Sequence, residues 1–130
     1  MINRKGDAMT LKNELQQVMD RYAAAYQDHD AIGCAAVFTP DSQMMSPYGP
    51  PARGRREIET VHATWTSEGG EGKRLDIVEC GGSGDIAWAL ARYSEGEATG
   101  EGTSLSVFQR HPDAGWLIHM CSLNADEAGS

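Results

Sequence analysis

Two side chains in this sequence have types and positions suited to proton chemistry, Tyr22 and His119. An imidazole titrates at about 6.5, so His119 could exchange protons near neutral pH. It lies on a segment, Trp116 to Leu123, whose alternation sets Leu117, His119 and Cys121 on one face and Trp116, Ile118 and Met120 on the other. Both faces are partly apolar, so either could look into a pocket, and a partly buried structural histidine fits the same pattern. Tyr22 sits on the apolar stripe of a helix, where its hydroxyl serves either as an internal hydrogen-bonding group or as a group aimed at a ligand.

Metal chemistry is not expected. His29, His62 and His111 have no partners at ligand spacing, and the neighbours Asp28, His29 and Asp30 point in different directions from a helix end. Cys34, Cys80 and Cys121 are scattered and odd in number, which suits neither a zinc site nor a disulfide framework. No organic cofactor is implied. Arg53, Arg55 and Arg56 beside Glu57 and Glu59 read as a charged, solvent-facing helix start.

The elements that must position these groups follow from periodicity. Thr10 can cap a helix whose apolar residues Leu11, Leu15, Val18, Met19, Tyr22 and Tyr26 form one stripe of period 3.6. Asp30 can cap a second, short helix running through Ile32 to Phe38. The piece Gln43 to Ser46 is strand-like, and Pro47 to Pro51 reads as a rigid loop without regular structure. Gly54 precedes a third helix with Ile58, Val61, His62 and Trp65 on its stripe, ending before Gly69. From Lys73 the period becomes two, with strands expected at 74–80, 85–93, 103–110 and 116–123. Short links between them imply an antiparallel meander with one face covered by the helices. Residues 1–9 and the acidic tail 125–130 are expected to be disordered, leaving one domain over 10–124.

Bulk properties bound the function. A chain of 130 residues with 40% hydrophobic and 23% charged residues makes one soluble domain. A formal net charge of −8 gives no footprint for nucleic acid or an anionic membrane surface. No stretch approaches the roughly 18 apolar residues of a membrane helix, and the polar start Met1 to Gly6 lacks a signal-peptide core, so a cytoplasmic location is expected.

Local sequence points further. Arg21-Tyr22, Asp28-His29-Asp30-Ala31, Val37 to Ser42, Ser46-Pro47-Tyr48-Gly49 and Arg53 to Ile58 together resemble the N-terminal half of bacterial ketosteroid isomerases. Trp116-Leu117-Ile118-His119 resembles the closing strand of SnoaL-like domains, and the element order is that of the nuclear transport factor 2-like superfamily. The resemblance implies an α+β fold: three N-terminal helices packed on a strongly curved antiparallel sheet, forming a cone with an internal pocket.

Carried over by position, Tyr22 falls on the tyrosine that hydrogen-bonds the enolate oxygen in those isomerases. Their proton-shuttling aspartate falls on Ser46, and their second acid falls near Ser106. A serine hydroxyl is no general base at neutral pH by itself, so steroid isomerase activity is not expected. In SnoaL-like cyclases the last strand supplies an acid or base, which gives His119 that role. The expected lining includes Tyr26, Phe38, Met45, Ser46 and Tyr48 from the first half of the chain. Val61, Trp65, Trp88, Ser106 and Phe108 supply the rest, with only one of Trp88 and Tyr93 facing inward by parity.

Three functions fit: proton transfer on a cyclic carbonyl compound by Tyr22 and His119, binding of a small apolar or cyclic ligand without chemistry, and dimerisation. The expected assembly is a homodimer through the outer sheet face.

Overall fold

The structure, a computed structural model, describes residues 4–96 and 99–126, with side chains described over 10–94 and 99–126. Three helices, α1 (Arg4–Gln27), α2 (Ala31–Ala36) and α3 (Gly54–Ser67), accompany six strands. The strands are β1 (Phe38–Ser46), β2 (Gly49–Arg53), β3 (Arg74–Ser83), β4 (Ile86–Gly96), β5 (Gly100–His111) and β6 (Gly115–Ala125). They form one open, curved sheet in the order β2-β1-β6-β5-β4-β3.

The α+β class is as expected, but the sheet is mixed. β1 lies parallel to β6, pairing Met44 with Cys121, while the other neighbours are antiparallel. Because β2, α3 and β3 to β5 intervene between β1 and β6, the first strand reaches the last only through the tertiary fold. The loop expected at Pro47 to Pro51 is also corrected: Gly49–Arg53 forms β2, one of the two edge strands. Proline is tolerated there because an edge strand has a side with no donor to satisfy.

Helix boundaries shift as well. α1 begins at Arg4 rather than Thr10, and residues 1–3 lie outside the described residues. α2 stops at Ala36, and Phe38 opens β1 instead of closing the helix. Asp30 does cap α2, accepting from Gly33 N at 2.9 Å. At the other end β6 runs to Ala125, and Asp126 takes two hydrogen bonds from Arg92, at 2.8 and 2.6 Å. Of the expected acidic tail, 127–130 lie outside the described residues.

The core sits between the helices and the concave face of the sheet. Leu15, Val18, Met19, Tyr22 and Tyr26 bury the α1 stripe, and Ile58, His62 and Trp65 bury that of α3. β4 turns Ala87, Ala89, Ala91 and Tyr93 inward, small residues that let helices and rings approach closely. At Gly70, φ is +106° and an added Cβ would run into the Tyr26 ring, so the link to β3 needs glycine for both backbone and space.

β5 inverts the usual polarity of a half-buried strand. Ser104, Ser106 and Phe108 are buried, while Leu105 is 48% exposed on the other face. Opposite Leu105 and its neighbour Val107 stand Leu90 and Trp88 of β4, and Val107 also pairs with Met120 of β6. Serines inside and an apolar strip outside are the reverse of what core formation alone selects.

Candidate functional site

Between α1 and the concave sheet lies an internal cavity of about 20 Å³, room for about one water molecule. Apolar side chains from Met19, Phe38, Met44, Trp65, Leu75 and Ile118 form most of its wall. The polar contributions come from Tyr22, Lys73, Tyr93, Thr99, Ser104, Ser106 and Cys121. Helix α1 positions Tyr22 by its stripe, and the pleat positions Ser104, Ser106 and Tyr93 by parity.

Tyr22 is tied to His62 of α3, with the hydroxyl 2.7 Å from Nε2. The tautomer follows from the other nitrogen. Nδ1 lies 2.7 Å from the carbonyl oxygen of Ile58, which only accepts, so Nδ1 carries the proton and Nε2 accepts from the Tyr22 hydroxyl. Burial lowers the His62 pKa to about 4, and nearby Lys73 pushes the same way, so the ring is neutral at physiological pH. Burial likewise raises the Tyr22 pKa well above the usual tyrosine value. The hydroxyl proton is therefore held by His62, and the Tyr22 oxygen offers lone pairs.

Lys73 is the cation of this interior. It is 3% exposed, donates from Nζ to Thr99 Oγ1 at 2.9 Å, and lies over two rings, 4.7 Å from the Tyr26 centroid and 4.8 Å from that of Tyr93. Desolvation lowers its pKa from 10.5 to about 8. A buried ammonium stays charged only where rings and hydroxyls replace water, which this cradle does in part.

Tyr93 of the cavity wall is bonded to a tyrosine outside it. Tyr48, in the turn between β1 and β2, donates its hydroxyl to the Thr99 carbonyl, which leaves its oxygen to accept from Tyr93 at 2.6 Å. Ser104 Oγ is buried without a hydrogen-bond partner among the described residues, and Ser106 abuts the Cys121 thiol, whose pKa burial raises to about 11. An unmet buried hydroxyl costs on the order of 1–3 kcal/mol, which a polar ligand atom would recover.

Outside this cavity a second space of about 370 Å³ runs between the β1–β2 hairpin and α3. Ser46, Tyr48, Pro50, Val61 and Trp65 line it. Met44 and Trp65 border both spaces and form the wall between them.

The residues singled out from sequence are thus distributed. Tyr22, Phe38, Trp65 and Ser106 line the inner cavity; Ser46, Tyr48, Val61 and again Trp65 line the outer groove. Tyr26 and Phe108 are fully buried beside the cavity rather than on its wall, Tyr26 under the Lys73 ammonium. Met44 rather than Met45 takes the inward position of β1. Of the pair on β4, Tyr93 faces inward and Trp88, 38% exposed, lies on the outer face against Gly81, where an added Cβ would touch its indole.

His119 is not among the residues that line the cavity with Tyr22. It occupies a bulge, because Val107 pairs with Met120 while Phe108 pairs with Ile118, and its ring meets Thr39 Oγ1 at 3.0 Å and Asp41 at 3.7 Å. The partner of Tyr22, His62, and the buried Lys73 were not identified from sequence as site residues. The place of His62 on the apolar stripe of α3 was the available signal. Lys73 left none, since a lysine at a strand start reads as solvent-facing.

Among the described residues no cluster of three metal-ligating side chains forms, and no helix is long and apolar enough to cross a membrane.

A sequence model of the SnoaL-like domain matches residues 19–112. No curated protein matches the chain. Among solved structures, a Mycobacterium tuberculosis protein of unknown function superposes with a TM-score of 0.78 at 18% identity, covering 97% of this chain and 78% of its own. A ketosteroid isomerase-like protein from Erwinia carotovora atroseptica gives 0.69 at 21% identity, covering 89% and 99%. A nuclear transport factor 2-like superfamily protein from Salmonella enterica gives 0.71 at 18% identity, covering 94% and 95%. Identities this low establish shared fold.

Proposed function

Because the chain belongs to the SnoaL-like domain family, within the nuclear transport factor 2-like superfamily, we propose that it binds a small, largely apolar cyclic ligand carrying a carbonyl group between α1 and the concave sheet. The observation that carries this reading is the inward polarity of β5 and its surroundings. Ser104, Ser106, Tyr22 and Lys73, with Tyr93, Thr99 and Cys121, converge on one cavity whose other walls are apolar. Such a composition, apolar walls with a few fixed polar groups, is that of small-molecule sites.

A cavity of about 20 Å³ does not hold such a ligand as it stands. Entry proceeds from the outer groove by displacement of Met44 and Trp65, the shared wall, with the unbranched methionine adapting most easily. The Lys73 ammonium then meets the carbonyl oxygen. Titration of the intrinsic tryptophan fluorescence with bicyclic ketones tests this: saturable quenching that a Trp65→Phe variant loses supports the site, and quenching that persists unchanged places binding elsewhere.

A second reading, proton transfer on the bound compound, is favoured by the Tyr22–His62 hydrogen bond. In this scheme His62 takes the part that the sequence assigned to His119, storing or returning the Tyr22 proton. The test is exchange of the α-hydrogens of a bound ketone with deuterated water, which a His62→Gln variant should slow.

Assembly follows from the outer face. Trp88, Leu90, Leu105, Val107 and Met120 form an apolar strip across three strands, suited to a second copy of the chain.

A further inference from the structure

We propose that Lys73 is a covalent capture site, its amine condensing with the carbonyl carbon of a ligand in the cavity to form an imine. The inference rests on the carbonyl-ligand reading above and goes beyond it, since binding alone needs no bond.

Three features of the structure carry it. Lys73 lines the cavity, and its Nζ is bonded to Thr99 and lies over the Tyr93 ring, two residues that line the same space, so the nitrogen sits among the groups a ligand carbonyl would meet there. The nitrogen is held in place by Thr99 Oγ1 and by the Tyr26 and Tyr93 rings, which removes most of the freedom an exposed lysine would lose on reacting. Burial also shifts its titration from 10.5 to about 8, giving on the order of a hundredfold more free amine at neutral pH than a lysine at its ordinary value.

The step is balanced without any further reagent. The lone pair of the neutral amine attacks the carbonyl carbon, and the carbonyl π pair moves to oxygen. That oxygen gains a proton as nitrogen loses one, giving a carbinolamine. Expulsion of the oxygen as water, with the second nitrogen proton, leaves a carbon–nitrogen double bond. Water released in an interior this apolar is poorly retained, which favours the imine over its hydrolysis. The rings of Tyr26 and Tyr93 stabilise the protonated iminium as they do the ammonium.

The sequence makes the test clean, because it holds three lysines, Lys5, Lys12 and Lys73. The intact protein is incubated at pH 7.5 with 2-decalone and sodium cyanoborohydride, and peptide mass mapping locates the reduced adduct. In parallel, 2-decalol, which has the same shape but cannot form an imine, is titrated by tryptophan fluorescence. We expect the adduct on Lys73 at least about tenfold faster than on exposed Lys12, and abolished in a folded K73R variant. Binding of the alcohol with no preferential adduct at Lys73 overturns the capture inference and leaves the pocket reading in place. Failure of both alcohol and ketone to bind overturns the two together. Since the mapping is read on the wild-type protein, the outcome does not depend on whether K73R folds.

Discussion

The Tyr22 hydroxyl donates to Nε2 of His62 across 2.7 Å, joining two helices through residues forty positions apart. The bond decides what Tyr22 can offer. With its proton directed at a neutral imidazole, Tyr22 presents acceptor lone pairs to the cavity, so the carbonyl oxygen of the proposed ligand would find its donor in Lys73 rather than in the tyrosine. This differs from the donor role implied by the resemblance to ketosteroid isomerases.

Removing the hydroxyl should therefore cost more than one ordinary hydrogen bond. Tyr22→Phe leaves Nε2 of a fully buried ring unpaired, and a loss of about 1–3 kcal/mol is expected in urea denaturation. In a double-mutant cycle with His62→Leu the combined loss should fall short of the sum. Strict additivity would show that the two side chains do not interact.

The same pair makes stability depend on acidity. The His62 pKa falls from 6.5 unfolded to about 4 folded, so between these values the unfolded chain binds the extra proton. The contribution of the neutral ring is fully present above about pH 6.5 and is lost as pH falls toward 4, by up to ~3 kcal/mol. Comparing unfolding free energies of wild type and His62→Gln from pH 7.5 to 4 isolates this dependence. A constant difference across the range would refute it.

Lys73 acts at the alkaline end. Its pKa is lowered from 10.5 to about 8, so the unfolded chain holds more protons between these values and wild-type stability gains as pH rises through them. Relative to Lys73→Met, wild type should improve from pH 8 to 10. A flat difference would mean that the amine is solvated in the native state.

The outer sheet face predicts an assembly. A solution mass near twice the 14.0 kDa of the chain is expected for wild type, and Trp88→Lys should return it to that of one chain while leaving the circular dichroism unchanged. Unaltered dimer in the variant would place the interface elsewhere. A monomeric wild type would remove the dimer proposal itself.

Periodicity made much of this fold legible. The stripe from Leu11 to Tyr26, the stripe from Ile58 to Trp65 and the alternation along β4 to β6 each encode an element and the face it buries, because those are properties of neighbours in sequence. Local motifs were enough for the family, and parity limited β4 to one inward aromatic. Which of Trp88 and Tyr93 faced the helices was not local information.

The tertiary structure decided the rest. A period says that a face is buried but not against what, so the parallel pairing of β1 with β6 and the edge pairing of Gly49–Arg53 lay outside any window of the sequence. The bulge at His119 altered the simple alternation of β6 and set the imidazole against Thr39 and Asp41. Lys73 is the plainest case. Its burial depends on a ring from α1, a ring from β4 and a hydroxyl beside β5, and only their convergence turns a residue that water would normally claim into the cation of an apolar interior.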